Sequence, residues 1–354
     1  MIFGGRSGEH EVSLVSAASV IKALRSGDNS EKYDVIEIGI DRKGRWFTGE
    51  NCLNIFKKNS VSGLGSIRFS TDPEHQTVDI AFPVLHGPFG EDGTIQGLFE
   101  MLQIPYVGCN VVASSTAMDK LQCKAIWKSA GLPIVPHIGL TRKELIENEE
   151  AIIRKIINEL GLPCFVKPAN LGSAVGITKA KTEKDLSNAL KEAAKYDRRL
   201  LVEKAVNVRE IECAVLGNDN PIVSPPGEVI VGGEFYDFYD KYVNGISTTQ
   251  IPAKLDTEIG EKIRNMALEA YKLLDCGGLA RVDCFLDRDD GKIYLNEINT
   301  MPGFTSISMY PKLIEAFGIK YENLVDKLII LGLERFEEKQ KNKVSFESGS
   351  DWYA

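Results

Sequence analysis

Two stretches near the C-terminal end constrain the fold and chemistry of this chain more than any other feature. Residues 281–287 (RVDCFLD) and 293–299 (IYLNEIN) each alternate between two sets of side chains, and a polar, glycine-containing turn separates them. This pattern predicts a β-hairpin. The two-residue period of a strand puts Arg281 and Asp283 on one face of the first strand, and Glu297 and Asn299 on one face of the second.

These four polar side chains would be costly to bury in a sheet without a compensating partner. A divalent cation that accepts oxygen ligands would compensate the two acids and the amide, and Mg²⁺ fits best. The alternative is an ordinary hairpin with a surface salt bridge. The loop that follows, residues 299–306 (NTMPGFTS), is polar and lacks the pattern of a core element, which favours the metal site.

Length and charge exclude several classes of protein. The chain has 354 residues, which predicts two or three domains, and 43% of them are hydrophobic. Its formal net charge of −8 argues against binding to nucleic acid. No run approaches the length of a membrane-spanning helix, and the N-terminus lacks a basic region followed by an apolar run, so we expect neither a membrane span nor a signal peptide.

The cysteines and histidines argue against disulfides and transition-metal chemistry. The seven cysteines are scattered and never form a C-x-x-C pair, a pattern typical of reduced thiols in a cytoplasmic protein. The four histidines include no H-x-x-x-H pair.

The first part of the chain alternates strands, loops and helices, which predicts an α/β fold with a parallel sheet. A short strand at residues 2–3 leads into the glycine-rich turn 4–8 and a helix, whose N-terminus suits a carboxylate or phosphate. Glu11, in the first turn of that helix, either stabilises the helix dipole or binds a substrate ammonium group. Strands are predicted at 34–40 and 78–85, and His86 follows the second, where parallel sheets collect their ligands.

The remainder predicts an α+β arrangement. Helices at 115–130 and 143–160 precede a strand that ends at Lys167, and the glycine- and serine-containing loop after it could cover phosphates with its backbone N–H groups. Residues 224–254 have little periodic pattern but many aromatic residues, which indicates a lid or an Ω-loop. The other predicted elements are strands at 200–204 and 210–217, helices at 183–196, 257–274, near 311 and at 321–335, and a frayed C-terminal tail.

Seven motifs, in order along the chain, closely resemble those of the D-alanine–D-alanine ligases, a family of ATP-grasp enzymes. They are GGRSGEHEVS at residues 4–13, HGPFGEDG at 86–93, MDK at 118–120, KPANLGS at 167–173, KY at 241–242, RVD at 281–283 and NEINTMPG at 296–303. The resemblance extends from residue 2 to about residue 335. Two positions depart from it: Ala174 stands where many members carry a second serine, and Ile307 where some carry histidine.

The resemblance implies an ATP-grasp fold of three domains, with a parallel, Rossmann-like sheet in the first and ATP between the other two. The expected boundaries are residues 1–113, 114–206 and 207–338, with a flexible tail at 339–354. It also implies the reaction, in which ATP phosphorylates the carboxylate of one D-alanine and the amine of a second attacks the acyl phosphate. The dipeptide then enters peptidoglycan synthesis, and the enzyme is expected to be a cytoplasmic homodimer.

The resemblance further implies which residues surround ATP and its metal ions. Residues that contact the phosphates, adenine or ribose would be Lys120, Lys167, Glu203, Lys204, Val206 and Glu210. Residues that hold two Mg²⁺ ions, for which Mn²⁺ can substitute, would be Asp283, Glu297 and Asn299.

The same resemblance implies the residues that act on the amino acids. Arg281 and the backbone N–H of Gly303 would stabilise the oxyanion of the tetrahedral intermediate. Glu11 would bind the ammonium group of the first D-alanine, in a hydrogen-bonded group with Ser173 and Tyr242 that closes the lid. The other substrate-binding residues would be His86 near the first alanine, Lys241, and Ser308, which would hold the carboxylate of the second.

Two alternatives to this function stay open. A related ligase would join D-alanine to D-lactate or D-serine; the Lys241-Tyr242 pair argues against lactate, whereas serine differs from alanine by only one hydroxyl group. A protein that binds nucleotide without turnover is the alternative from another class, and the complete set of Arg281, Asp283 and the two metal-binding residues after them argues against it.

Overall fold

The computed structural model describes residues 1–67, 78–172, 175–230 and 248–343. In these ranges the chain forms three β-sheets with helices packed against them. None of the helices there is long and apolar enough to cross a membrane. All seven cysteines are buried and free of disulfides, as the sequence predicts.

The first sheet has the strand order β4-β3-β2-β1-β5. Strand β1 pairs in parallel with β2 and β5, which agrees with the predicted parallel sheet, whereas β3 and β4 extend the sheet in the antiparallel direction. The elements are β1 (Ile2–Gly4), α1 (His10–Leu24), α2 (Asn29–Lys32), β2 (Ile38–Ile40), β3 (Trp46–Thr48), α3 (Cys52–Phe56), β4 (Gly65–Ser66), β5 (Pro83–Val84) and α4 (Thr94–Leu102).

Two helices, α5 (Val111–Met118) and α6 (Lys120–Ser129), replace the single helix that the sequence predicts at 115–130. Asp119 interrupts them: its backbone is extended, and its side chain accepts hydrogen bonds from the N–H groups of Leu121 and Gln122. Aspartate favours this N-cap position because its carboxylate satisfies N–H groups that have no partner within the helix.

The second sheet is antiparallel throughout, with the order β6-β9-β7-β8. Capping boxes start both of its helices, and the one between Thr182 and Asp185 starts the helix that the sequence predicts at 183–196. The elements are β6 (His137–Thr141), α7 (Arg142–Glu159), β7 (Cys164–Pro168), β8 (Thr178–Ala180), α8 (Glu183–Tyr196) and β9 (Arg199–Lys204).

The third sheet contains the hairpin predicted from the alternating pattern, as β14 and β15. Its strand order is β13-β12-β10-β14-β15, with β11 paired to β10. The elements are β10 (Val208–Leu216), β11 (Ile222–Val223), β12 (Gly227–Ile230), β13 (Thr248–Gln250), α9 (Thr257–Leu273), β14 (Leu279–Asp287), β15 (Ile293–Asn299), α10 (Met309–Ala316) and α11 (Tyr321–Gln340). The pairing of β12 with β13 shows that the described ends of segment 224–254 are strands.

One hydrophobic core contains residues from both the first and the last described elements of the chain. This core combines residues of β1 and α1, such as Phe3 and Leu14, with residues of α10 and α11, such as Leu313 and Leu328. Other cores lie between the third sheet and helices α6 and α9, and between the second sheet and helices α7 and α8.

Candidate active site

Three carboxylates lie side by side across the third sheet. Asp283 on β14 is in register with Glu212 on β10 and with Glu297 on β15. The register shifts immediately after Asp283, where a bulge interrupts the pairing with β15. Bulges redirect side chains next to functional sites. The sequence predicts no role for Glu212. It lies two residues after Glu210, however, and therefore on the same face of β10.

The positive charge of Arg281 offsets part of the negative charge of these three carboxylates. Its guanidinium group donates two hydrogen bonds of 2.7 Å to Asp283, and its Nε lies 2.9 Å from Glu212. Burial by itself would lower the pKa of Arg281, but these two carboxylates outweigh burial and raise it well above its ordinary value. Arg281 is therefore a permanent cation, fixed by a bidentate contact, as an electrophilic catalyst requires.

Asn299 and Glu91 continue the network towards the first sheet. With the amide oriented to satisfy its neighbours, Asn299 accepts a hydrogen bond from Arg281 at 2.9 Å and donates one to Glu91 at 3.2 Å. Glu91 also accepts a 2.8 Å hydrogen bond from the N–H of Gly87. Burial, reinforced by the charge of Glu9, raises the pKa of Glu91 to about 8. Sequence analysis assigned no role to Glu91.

A cavity of about 610 Å³ lies between the second and third sheets. All six predicted ATP-contacting residues border it: Lys120, Lys167, Glu203, Lys204, Val206 and Glu210. Asp283 and Glu297 border the same cavity. Its walls thus combine lysine ammonium groups, carboxylates and apolar side chains, which suits a ligand with an aromatic base and a polyanionic end.

A smaller cavity of about 60 Å³ adjoins the first. Its lining includes Glu9, His86, Glu91, Arg281 and Gly303. Lys120, Gly172 and Glu297 border both cavities, so they form a common wall. Lys120 lies 3.3 Å from Glu297 and donates a 2.8 Å hydrogen bond to the carbonyl of Leu171.

His86 is held rigidly in the wall of the smaller cavity. Its Nδ1 lies 2.9 Å from the carbonyl of Met301, so Nδ1 carries the proton, and its Nε2 accepts from the hydroxyl of Ser16 at 3.1 Å. The same hydroxyl accepts a 3.3 Å hydrogen bond from the N–H of Phe304. Burial lowers the pKa of His86 although Glu9 opposes this effect, so the neutral ring persists. His86 and Ser16 thereby position the loop after β15.

The expectation for Glu11 is not met by the geometry. Glu11 forms an ion pair with Arg42, its side chain is 60% exposed, and it does not border the cavity. Glu9, two residues earlier, turns inwards: an added Cβ on Gly87 would lie 2.5 Å from Glu9 Oε2, and one on Gly172 would lie 3.6 Å from it. Glu9 is the residue immediately before α1 and Glu11 lies in its first turn, so the two carboxylates have different surroundings.

Gly303 and Ser308 lie together at the start of α10. An added Cβ on Gly303 would lie 3.2 Å from the hydroxyl oxygen of Ser308. That hydroxyl accepts a 3.1 Å hydrogen bond from the N–H of Thr305. The predicted oxyanion donor and the predicted carboxylate-binding residue are therefore neighbours.

The oxygen donors next to Lys120 and Arg281 suit a hard divalent cation. Asp283 and Glu297 are cross-strand partners, and Asn299 follows two residues later on the same face of β15. The described residues contain no group of three or more histidine, cysteine, aspartate or glutamate side chains that could hold a metal by itself. Two carboxylates and an amide are the donor set of a site that takes its other ligands from a substrate's phosphates.

Three predicted site residues, Ser173, Lys241 and Tyr242, lie outside the described residues. The predicted lid, residues 224–254, is described only at its two ends, because the structure does not describe residues 231–247. Strands β12 and β13 enter and leave that segment at an edge of the third sheet.

Known families match most of this chain. The D-ala D-ala ligase N-terminus family matches residues 1–109, and the D-ala D-ala ligase C-terminus family matches residues 126–330. The D-alanine–D-alanine ligase of Thermoanaerobacter sp. (strain X514) is 50% identical, over 96% of this chain and 97% of that protein. The D-alanine–D-alanine ligase of Acetivibrio thermocellus is 46% identical, over 96% of this chain and 97% of that protein.

Solved structures share the fold. The D-alanine–D-alanine ligase of Coxiella burnetii superimposes with a TM-score of 0.82 at 36% identity, covering 96% of each chain. The VanG D-Ala:D-Ser ligase of Enterococcus faecalis superimposes with a TM-score of 0.83 at 36% identity, covering 94% of this chain and 98% of that one.

Proposed function

Because the chain belongs to the D-alanine–D-alanine ligase family, we propose that it joins two D-alanine molecules at the expense of ATP, for peptidoglycan synthesis. The observation that carries the proposal is the common wall of the two cavities. Lys120 and Glu297 border a large cavity suited to a nucleotide and a small one suited to an amino acid. A phosphoryl group at this wall would be within reach of a carboxylate on the other side.

The larger cavity is the proposed ATP site. Phosphoryl transfer mainly asks the protein for positioning and neutralisation of charge, which Lys120 and Lys167 supply. Asp283, Glu297 and Asn299 would hold Mg²⁺, with Mn²⁺ as a substitute, and the ions would supply further positive charge to the phosphates. We assign this site to the interface of the second and third of three domains, 1–113, 114–206 and 207–338.

The smaller cavity is the proposed site of the acyl phosphate. Its carbonyl carbon becomes tetrahedral when the amine of the second D-alanine attacks, and its oxygen becomes an oxyanion. Arg281, held by Asp283 and Glu212, and the backbone N–H of Gly303 are donors that need no rearrangement as this charge develops. Ser308 next to Gly303 would bind the carboxylate of the second D-alanine.

The carboxylate of Glu9, in place of Glu11, is assigned to the ammonium group of the first D-alanine. It borders the smaller cavity next to Gly172, the last described residue before Ser173. In our proposal Ser173, Lys241 and Tyr242 belong to the loop and lid that exclude water, because an acyl phosphate would otherwise hydrolyse. We further propose that the protein carries out this function as a homodimer in the cytoplasm.

D-alanine–D-serine ligation is the second candidate. The likeness to the VanG D-Ala:D-Ser ligase structure favours it over D-lactate. The proposal of a D-alanine acceptor is supported by the curated relatives, which carry D-alanine–D-alanine ligase names at up to 50% identity.

ADP release should be measured with D-alanine, L-alanine, D-serine and D-lactate, with Mg²⁺ present and the products identified by mass. We expect D-alanine alone to stimulate ADP release and to yield D-alanyl-D-alanine. A mixed product with D-serine would keep the mechanism but replace the assigned acceptor. No ADP release with any of these substrates would contradict the proposed function.

A further inference from the structure

Helix α6 contains a lysine whose position is unusual for a charged side chain. The side chain of Lys124 is only 1% exposed, and its ammonium nitrogen lies 2.8 Å from Glu203 Oε1 and 3.2 Å from the carbonyl of Asn296. Lysine is rarely buried to this degree unless it is paired. Lys124 borders neither cavity, so it cannot contact a nucleotide directly.

Glu203 has a second lysine on its other oxygen. Lys167 Nζ lies 2.6 Å from Glu203 Oε2, and both side chains are about nine-tenths buried or more. Burial would raise the pKa of Glu203, but the charges of Lys124 and Lys167 outweigh burial and lower it far below its ordinary value. The carboxylate is therefore ionised, and the group of two lysines and one glutamate carries one excess positive charge.

The two lysines differ in what they can reach. Lys167 borders the larger cavity, whereas Lys124 lies behind Glu203. When Lys167 turns towards a phosphate, its contact with Glu203 weakens. An isolated buried carboxylate is strongly unfavourable, so this movement is favourable only if another cation stays with Glu203.

We propose that Lys124 is a positioning residue for nucleotide binding: it remains the counter-ion of Glu203 and so frees Lys167 to bind a phosphate. The inference rests on the proposed function, in which the larger cavity holds ATP. Lys124 also donates a hydrogen bond to the carbonyl of Asn296, next to Glu297. Its ammonium group therefore contacts both Glu203, which borders the larger cavity, and the strand of the predicted metal site.

The test is a double-mutant cycle of Lys124→Met and Glu203→Gln. Binding of a non-hydrolysable ATP analogue and of adenosine should be measured by calorimetry on the full chain. In Lys124→Met, Lys167 remains with Glu203, so we expect the Kd of the ATP analogue to rise on the order of tenfold while that of adenosine changes far less. The KM for D-alanine should stay within about twofold, because the change does not touch the smaller cavity.

The Glu203→Gln background distinguishes this role from a general loss of structure. A neutral amide lacks the negative charge that attracts Lys167, so Lys124→Met should there change the ratio of the two Kd values by less than about twofold. Lys128→Met, an exposed lysine one turn further along α6, is the matched control and should bind like the wild type. If Lys124→Met alone does not fold, the inference stays testable, because a change of more than about twofold in this ratio between Glu203→Gln and the double variant would overturn it.

The outcomes separate the two proposals. Failure of the wild type to bind the ATP analogue would overturn the proposed function and this inference with it. If the wild type binds the ATP analogue but Lys124→Met leaves the ratio of the two Kd values unchanged, the inference is overturned and the proposed function stands. Equal weakening of adenosine and the ATP analogue, in both backgrounds, would also overturn it.

Discussion

Glu9 and Glu11 show how sequence neighbours in one motif acquire different surroundings. Glu9 precedes the first residue of α1 and faces the glycines of two loops, while Glu11 lies on the solvent side with Arg42. The motif predicts that an acid binds the ammonium group, but it does not say which acid, because that depends on where the helix begins.

Glu9→Gln should lower kcat/KM for D-alanine by about two orders of magnitude, since the change removes the carboxylate charge that is proposed to pair with the substrate ammonium group. Glu11→Gln should lower it less than about twofold, because an exposed ion pair contributes little. Steady-state ADP release at fixed ATP measures both. A loss in Glu11→Gln as large as that in Glu9→Gln would contradict the assignment.

Ser16 is a small residue with two buried partners, His86 and the N–H of Phe304. Ser16→Ala should lower the free energy of unfolding by about 1–3 kcal/mol, because it leaves both partners without this oxygen. Urea denaturation provides the measurement, and Ser19→Ala, on the exposed part of α1, is the control. Equal stability of the two variants would show that the Ser16 hydroxyl does not hold the loop.

Among the elements, α11 makes a polar contact with the end of α2. Asp326 on α11 accepts hydrogen bonds from Tyr33 at 2.7 Å and from Lys32 at 3.0 Å. Burial would raise the pKa of Asp326, but these two donors outweigh burial and lower it below its ordinary value of 3.8. This contact fixes the last long helix beside α2.

Asp326→Asn should lower the free energy of unfolding by about 1 kcal/mol at pH 6, a small value because solvent screens the half-exposed Lys32. The carboxylate of Asp326 has a lower pKa in the folded state than in the unfolded state. Its contribution is therefore complete above about pH 4 and is lost as the pH falls through the folded-state pKa.

Urea denaturation of the wild type and of Asp326→Asn between pH 6 and pH 3 would test this expectation. The difference in unfolding free energy should shrink towards acid pH. A difference that stays constant over this range would mean that ionisation of Asp326 does not stabilise the contact.

For the complete chain, nucleotide binding should stabilise the fold, because residues of both the second and third sheets border the larger cavity. A non-hydrolysable ATP analogue at a hundred times its Kd should add about 2.7 kcal/mol to the free energy of unfolding. Differential scanning calorimetry should show a Tm raised by several degrees. Tripolyphosphate without the base is the control, and an equal shift with it would point to non-specific anion binding.

The sequence predicted much of this arrangement, for physical reasons that differ between parts. Strand alternation correctly placed Arg281 and Asp283 on one buried face, because the period of a strand is a local property. No local signal pairs Ser16 with Phe304, which is 288 residues away, or buries Lys124 behind Glu203. The break at Asp119 was missed because a continuous helical pattern outweighed one N-cap residue.

The shared core of α1 and α11 has a consequence for synthesis on the ribosome. Phe3 and Leu14 are synthesised about 310 residues before Leu324 and Leu328, which cover the same core. At bacterial elongation rates this delay is on the order of tens of seconds. During that time the apolar surface that α11 covers in the folded protein stays exposed, which is the condition under which chaperones bind nascent chains.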